Sequence, residues 1–297
     1  MNSRAESGLL VVVGDLLEDI VVWATEPIRA ATDSAAQVFR SRGGSAANVA
    51  AHAAALVPTR FIGRVGDDGA GLALASALEA RGVDVRVQRQ GRTGAVVLVV
   101  GPDGERTMFP DRAAAADLDA VEPAWLDGVA WLHVPSYAFE HEPMRSEVRR
   151  LVQLARTAGA AVSVDASSAG LIDGLGVERI RAWISALRPD VLFADETEAR
   201  RLGVDAGGAD ASRIAGRVVV KHGPAPTEVF DGGELAAHVP VAPVAEVRDL
   251  TGAGDAFAAG WIAAALGGAD VEGCCLAGHA LAASVITVPG ADRVNSG

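Results

Sequence analysis

The sequence predicts an α/β fold: a three-layer α/β/α sandwich with a mostly parallel central sheet and a small β-sheet lid. Three observations predict it. Near the start, Leu9-Leu10-Val11-Val12-Val13 runs unbroken into Gly14-Asp15, the pattern of a strand covered on both faces. From about Trp131 onward strands and helices alternate, as repeated βα units require. Between these regions two hairpin-like stretches interrupt the alternation, which suits a small separate sheet covering one end of the main body.

In chain order, Ile20–Trp23 and Gln37–Arg40 read as short strands. Ala46–Leu56 reads as an Ala-rich helix, Arg60–Ile62 as a strand, and Gly69–Arg81 as a helix stopped by Gly82. Thr93–Val100 and Glu105–Phe109 form the second hairpin, joined by the turn-rich Gly101-Pro102-Asp103-Gly104. Strands at Trp131–Val134, Ala161–Asp165, Val191–Ala194 and Arg217–Val220 then alternate with helices near Ser146–Ala158, Arg179–Ala186 and Glu196–Leu202. Ala256–Leu266 reads as a further helix. With no internal repeat or low-complexity linker, the expectation is one domain over residues 1–297, with lid strands from about 16–41 and 86–111.

Composition narrows the function. At 297 residues the chain has length for a buried core, and at 50% hydrophobic but 4% aromatic it favours small residues packed closely. A net charge of −12 argues against a nucleic-acid surface, so no nucleic-acid partner is expected. A phosphate-bearing ligand would need local help from Mg²⁺, a helix N-terminus or a few arginines. Cys274 and Cys275, adjacent in a helical pattern, point to different sides and read as buried structural thiols. No apolar run of ~18 residues and no secretory pattern is present, so a cytoplasmic protein without a membrane partner is expected.

The chemistry centres on Asp249-Leu250-Thr251-Gly252-Ala253-Gly254-Asp255. A small-residue turn opening a helix is an anion site, because unpaired N–H groups and the positive end of the helix dipole point outward. An aspartate in that turn would repel a resting anion. Taking a proton from a hydroxyl that attacks the bound anion gives it a purpose, which reads as phosphoryl transfer with Asp255 as base.

Other stretches are ambiguous alone. Gly43-Gly44-Ser45-Ala46-Ala47-Asn48 could bring a ligand close to backbone, or be a glycine turn whose asparagine satisfies backbone groups. Gly63–Gly69 reads best as a tight turn with Asp67 or Asp68 capping the next helix. Asp15 and Asp19, beyond the first strand, could bind two sugar hydroxyls or be solvated turn residues. Asp195-Glu196-Thr197-Glu198 fits either helix capping or a water-mediated Mg²⁺ role. Lys221-His222-Gly223 ends a strand where a nucleotide could lie against backbone. A P-loop is absent, and Gly252-x-Gly254 lacks the third glycine of the dinucleotide fingerprint.

Taken in order, these pieces resemble the ribokinase-like (PfkB) family of carbohydrate kinases over nearly the whole chain. The resemblance rests on Asp15 with Asp19, Gly43-Gly44-x-Ala46-x-Asn48, Gly63–Gly69, Asp195-x-x-Glu198, Lys221-x-Gly223 and Asp249–Asp255. It implies a ribokinase-like sandwich and ATP-dependent phosphorylation of a hydroxyl, a primary one, on a small carbohydrate. It implies Asp255 as base and the N–H groups of Gly252, Ala253 and Gly254 as the anion hole. Asp15, Asp19, Gly43, Gly44 and Asn48 match substrate positions; Asp195, Lys221, Gly223, Gly254 and His279 match nucleotide positions. Glu198 matches the organiser of Mg²⁺ through water, and Asp249 with Val285–Gly290 a monovalent-cation (K⁺) loop. A homodimer through the lid is implied by its unpaired edges.

The sequence departs from that pattern at Leu250 in place of Thr, Asp195 in place of Asn, Pro226 in place of Gly, and Ser45 where many ribokinases carry Lys. The first leaves the K⁺ expectation open; the last does not favour ribose. Three alternatives stay open: a nucleoside kinase, which needs an aromatic-lined pocket; a 2-keto-3-deoxy sugar-acid kinase, using Arg106 or Arg112; and a non-catalytic sugar-binding regulatory protein.

Overall fold

Strand alternation divides the molecule into two apolar layers on either side of one sheet. In the computed structural model, which describes residues 8–287, β1 (Leu9–Val13) sends Val11 and Val13 into one buried cluster and Leu10 and Val12 into the other. The period-2 geometry of a strand requires this, and it explains why the run is apolar throughout. β8 (Val129–Pro135), β9 (Ala161–Asp165), β10 (Val191–Asp195) and β11 (Arg217–His222) continue the sheet. In β10, Leu192 and Ala194 face the first cluster while Val191 and Phe193 face the second.

The first layer is filled by α3 (Met144–Thr157), α4 (Ala169–Leu175), α5 (Val177–Leu187), α6 (Glu196–Leu202) and α7 (Gly208–Ile214). The second is filled by α1 (Ser45–Ala53), α2 (Gly69–Glu79), α8 (Ala253–Leu266) and α9 (Val271–Ile286). With β4 (Thr59–Val65), β5 (Asp84–Arg89), β12 (Ala225–Asp231) and β13 (Glu234–Val239), the sheet has nine strands in the order β13-β12-β11-β10-β9-β8-β1-β4-β5. Pairings from β11 to β5 are parallel; β12 and β13 add an antiparallel edge. From β1 the chain builds outward through β4 on one side and β8 on the other. The carboxyl ends of β1 and β8 therefore flank the switch point where ligands of such sheets bind.

Four further strands form the lid. β2 (Leu17–Ala24), β3 (Ala36–Gly43), β6 (Ala95–Val100) and β7 (Arg106–Asp111) pair in the order β3-β2-β6-β7. The two hairpins join through a parallel β2–β6 contact. The expected second lid segment starts too early at 86. Residues 84–89 pair with β4 in the main sheet, because Val85 and Val87 pack on the second core cluster. Asp68 caps α2 through the Gly71 N–H at 2.9 Å and binds Thr93, fixing the crossing into β6. Cys274 and Cys275 are buried, free thiols on α9. Among the described residues no helix is long and apolar enough to cross a membrane.

Candidate active site

Asp255 stands in the first turn of α8, whose N-cap is Gly252 at φ 79°. That left-handed conformation is one glycine adopts without strain, and it swings the chain abruptly into the helix. The carboxylate is gripped across the fold by α1: Ser45 Oγ donates to Oδ1 at 2.6 Å and Asn48 Nδ2 to Oδ2 at 2.9 Å. Burial pushes the Asp255 carboxyl up to about 6, against the lowering effect of those two donors. Asn48 is itself fixed by buried Arg42, which donates to its Oδ1 at 2.9 Å.

Asp19 lies against the end of β3. A Cβ on Gly43 would stand 2.0 Å from Asp19 Oδ1, so only glycine allows that approach. Gly44, at φ 97°, is packed so that a Cβ would stand 2.3 Å from the Asp15 carbonyl oxygen. Burial lifts Asp19 to about 6, with the Arg42 charge acting the other way. Asp15 behaves differently from the sequence expectation of a sugar ligand. Its oxygens accept from Arg112 at 2.5 and 2.8 Å, in a pair with both side chains 7% exposed. Arg112 also donates to the Tyr137 carbonyl at 2.6 Å. The pair ties the return from β7 to the end of β1, so Asp15 holds the lid junction.

On the other side of Asp255 the strand ends converge. Lys221, at the end of β11, places Nζ 3.1 Å from Asp165 Oδ2 and 3.3 Å from where a Gly254 Cβ would lie. Burial disfavours the ammonium, yet Asp165, Glu198 and Asp255 together hold its pKa above the ordinary lysine value. Burial and the nearby Asp165 push Glu198 up to about 7. Asp195 and Glu198 form a reciprocal capping box on α6, each backbone N–H donating to the other's carboxylate at 2.8 Å. Tyr137, the one tyrosine of the chain, is raised by burial and by the charges of Asp255, Glu198 and Asp165.

The remaining expected residues sit at the margin. Gly223 forms the β11–β12 turn at φ 62° with open space beside it. His279 Nε2 pairs with Thr227 Oγ1 at 2.8 Å, and its ring lies 5.4 Å from Phe257. Asp249 Oδ1 accepts from the Thr251 N–H and hydroxyl, and Arg106 approaches it at 3.7 Å. Of the Val285–Gly290 segment, residues 288–290 lie outside the described residues; Ile286 accepts from the Arg248 and Asp249 N–H groups. The Ala253 N–H, expected in the anion hole, donates to Leu250 O at 3.2 Å.

Sequence reasoning missed Asp165, Arg42, Ser45 as a partner of Asp255, and Tyr137. Asp165 carried a usable signal, an acid closing a strand whose carboxyl end faces the switch point. The others carried none, since their roles depend on contacts made by residues far apart in the chain.

The family model described as pfkB family carbohydrate kinase matches residues 7–296. The chain belongs to that family. It is a carbohydrate kinase, a phosphotransferase with an alcohol acceptor. A fructokinase of Klebsiella pneumoniae is 32% identical over 271 residues, covering 86% of this chain and 84% of that protein. An ATP-dependent ribose-1-phosphate kinase of Halopiger xanaduensis is 36% identical over 248 residues, covering 78% and 76%. Among solved structures, Arabidopsis thaliana ribokinase complexed with ribose and ATP superposes with a TM-score of 0.80 at 26% identity, covering 96% of the kinase and 94% of that chain. The sandwich and its lid are thus the ribokinase fold.

Proposed function

We propose that the kinase transfers the γ-phosphoryl group of ATP to a primary hydroxyl of a small neutral carbohydrate. One observation carries this reading: a carboxylate in the first turn of α8, pushed by burial to about 6, stands beside the amides of an anion-binding turn. At that basicity Asp255 is ionised at neutral pH yet able to accept a proton in the transition state. Asp19, beside Gly43 and Gly44, accepts from other hydroxyls of the substrate and fixes its pose. The acceptor oxygen attacks the γ-phosphorus as its proton passes to Asp255, and ADP leaves. The N–H groups of Gly252 and Gly254 and the Lys221 ammonium receive the charge on the transferred group; positioning and charge stabilisation supply most of the catalysis.

Mg²⁺ fits the phosphate side by charge. Asp165, Glu198 and Asp255 face a single ammonium there, so carboxylate charge is in excess. Among the described residues no three-ligand protein cage exists, which suits an ion that keeps waters and phosphate oxygens as ligands. Glu198 would hold it through water, and bound there it would neutralise phosphate charge. K⁺ fits poorly at Asp249, whose Oδ1 serves Thr251 and which Arg106 already approaches.

The alternatives separate on named residues. A sugar-acid substrate loses its expected arginines, since Arg112 is spent on Asp15 and Arg106 faces Asp249. A nucleoside gains some support. Strand register sets Phe39 on the same lid face as Asp19, and Trp23 follows two steps along β2. Val38 and Phe109 lie exposed on the opposite face, which supports a lid-to-lid homodimer. The test is ADP release with ATP and Mg²⁺ over fructose, ribose, ribose 1-phosphate, adenosine and a 2-keto-3-deoxy sugar acid. Phosphorylation of none would exclude these acceptors and send the search to other hydroxyl compounds. With the substrate found, Asp255→Asn should lower kcat by at least ~10²-fold with ATP affinity little changed; near-normal turnover at saturation would sink the base assignment.

A further inference from the structure

We propose that Ser45 is a positioning residue for the base: its hydroxyl, with the Asn48 amide, fixes the rotation of the Asp255 carboxylate and keeps it ready to take a proton. The inference rests on Asp255 being that base. Ser45 is free for the task, because it caps nothing in its own helix; α1 is preceded by Gly44 and has no side-chain cap. Its hydroxyl instead reaches 210 residues along the chain to donate at 2.6 Å. Asn48, one turn later on the same helical face, takes the other oxygen at 2.9 Å. The amide orientation is determined, since Asn48 Oδ1 accepts from Arg42 and only Nδ2 is left to face Asp255. Two donors on one rigid turn thus hold both oxygens, and each oxygen keeps a lone pair for an incoming hydroxyl.

The chemistry of the donors matters as much as their placement. Ser45 and Asn48 are neutral, so they favour the ionised carboxylate without the strong suppression of basicity that a cation in contact would bring. The charged and titratable groups facing Asp255 from elsewhere are Asp165 on β9, Lys221 on β11 and Tyr137 after β8. On α9, His279 is turned to Thr227. Asp165 and Lys221 act on Asp255 in opposite directions, and the two α1 donors are the largest influence that opposes its burial.

Two readouts test the proposal on the full chain. In Ser45→Ala, the acid limb of kcat/KM should move up by about one pH unit, a tenfold loss of ionised base in that range, and recover at alkaline pH. Ser45→Thr, which keeps the hydroxyl, should restore the native profile. In parallel, the Asp255 carboxyl followed by ¹³C NMR in the protein without substrate should titrate higher in Ser45→Ala by a similar amount. This measurement needs no turnover, so it decides the role of Ser45 even if no acceptor is phosphorylated and the functional reading falls. An Asp255 titration unmoved in Ser45→Ala overturns the proposal, as does an activity loss uniform across pH that Ser45→Thr fails to restore.

Discussion

The two sides of Asp255 treat buried charge in opposite ways. Toward the lid the carboxylates meet cations or neutral donors: Asp15 is paired with Arg112, Arg42 acts on Asp19 against its burial, and Asp255 accepts from Ser45 and Asn48. Toward the strand ends, one ammonium, Lys221, faces Asp165, Glu198 and Asp255 together. A balanced wall suits a neutral polyol, which brings hydroxyls and no charge. An overcharged wall suits a ligand that arrives with cations, as a nucleotide does with Mg²⁺. Burial is the main cause that lifts Glu198 and Asp255 to about 7 and 6, and on this side the Asp165 carboxylate adds to it for both groups while Lys221 acts the other way.

The hardest blow to this contrast is removal of the single cation on the overcharged side. Lys221→Met should lower kcat by about 10²-fold, the scale of losing one charge-stabilising donor at the reacting centre. It should also raise the acid limb of the rate profile, since the remaining carboxylates repel further ionisation. Steady-state kinetics across pH would check both. A variant with native kcat and an unshifted limb would mean that Lys221 serves packing alone.

On the balanced side the expected effect falls on stability. Arg112→Met strands a buried carboxylate at the lid junction and should cost about 3 kcal/mol, within the range for breaking one member of a buried pair. Adding Asp15→Asn removes the stranded charge, so the double variant should be more stable than Arg112→Met alone. Urea unfolding of the four proteins gives the coupling directly. If the two losses merely add, the pair is not the closed unit that its 2.5 and 2.8 Å contacts indicate.

Much of this contrast was hidden in the sequence for a definable reason. Local patterns carried the framework: Ala161–Asp165 and Glu196–Leu202 have the bounds their periodicity predicts. The turn that opens α8 was equally legible as a helix start, because Gly252 and Asp255 lie within seven consecutive residues. β5, β12 and β13 went unread; β5 and β13 are the two edges of the sheet and β12 lies next to β13, and Asp84, Arg86, Glu228 and Glu234 break their apolar pattern. Asp15 was legible as a strand-end acid but not as a partner of Arg112, which lies 97 residues away. A composition of charges can be counted from a sequence, whereas which of them cancel depends on tertiary contacts alone.

The smallest predicted effect is also the one that sets activity against stability. Asp255 and Glu198 have folded-state pKa values raised to about 6 and 7, above those of an unfolded chain. Folding then favours their protonated forms, so their contribution to stability is greatest at low pH and is lost as pH rises through 6 and 7. Asp19, also raised to about 6, acts in the same direction. Turnover should run the opposite way, falling below about pH 6 as Asp255 takes a proton and ceases to be a base. Without ligands the protein should therefore show a higher Tm near pH 5.5 than near pH 7.5, by a few degrees at most, while kcat/KM shows the reverse order. Adding Mg²⁺ with nucleotide should shrink the Tm difference, because it supplies the positive charge that the strand-end wall lacks. A Tm that rises steadily from pH 5.5 to 7.5 without ligand would mean that these carboxyls are outweighed by buried His133, whose pKa is lowered to about 4 and which favours folding as pH rises.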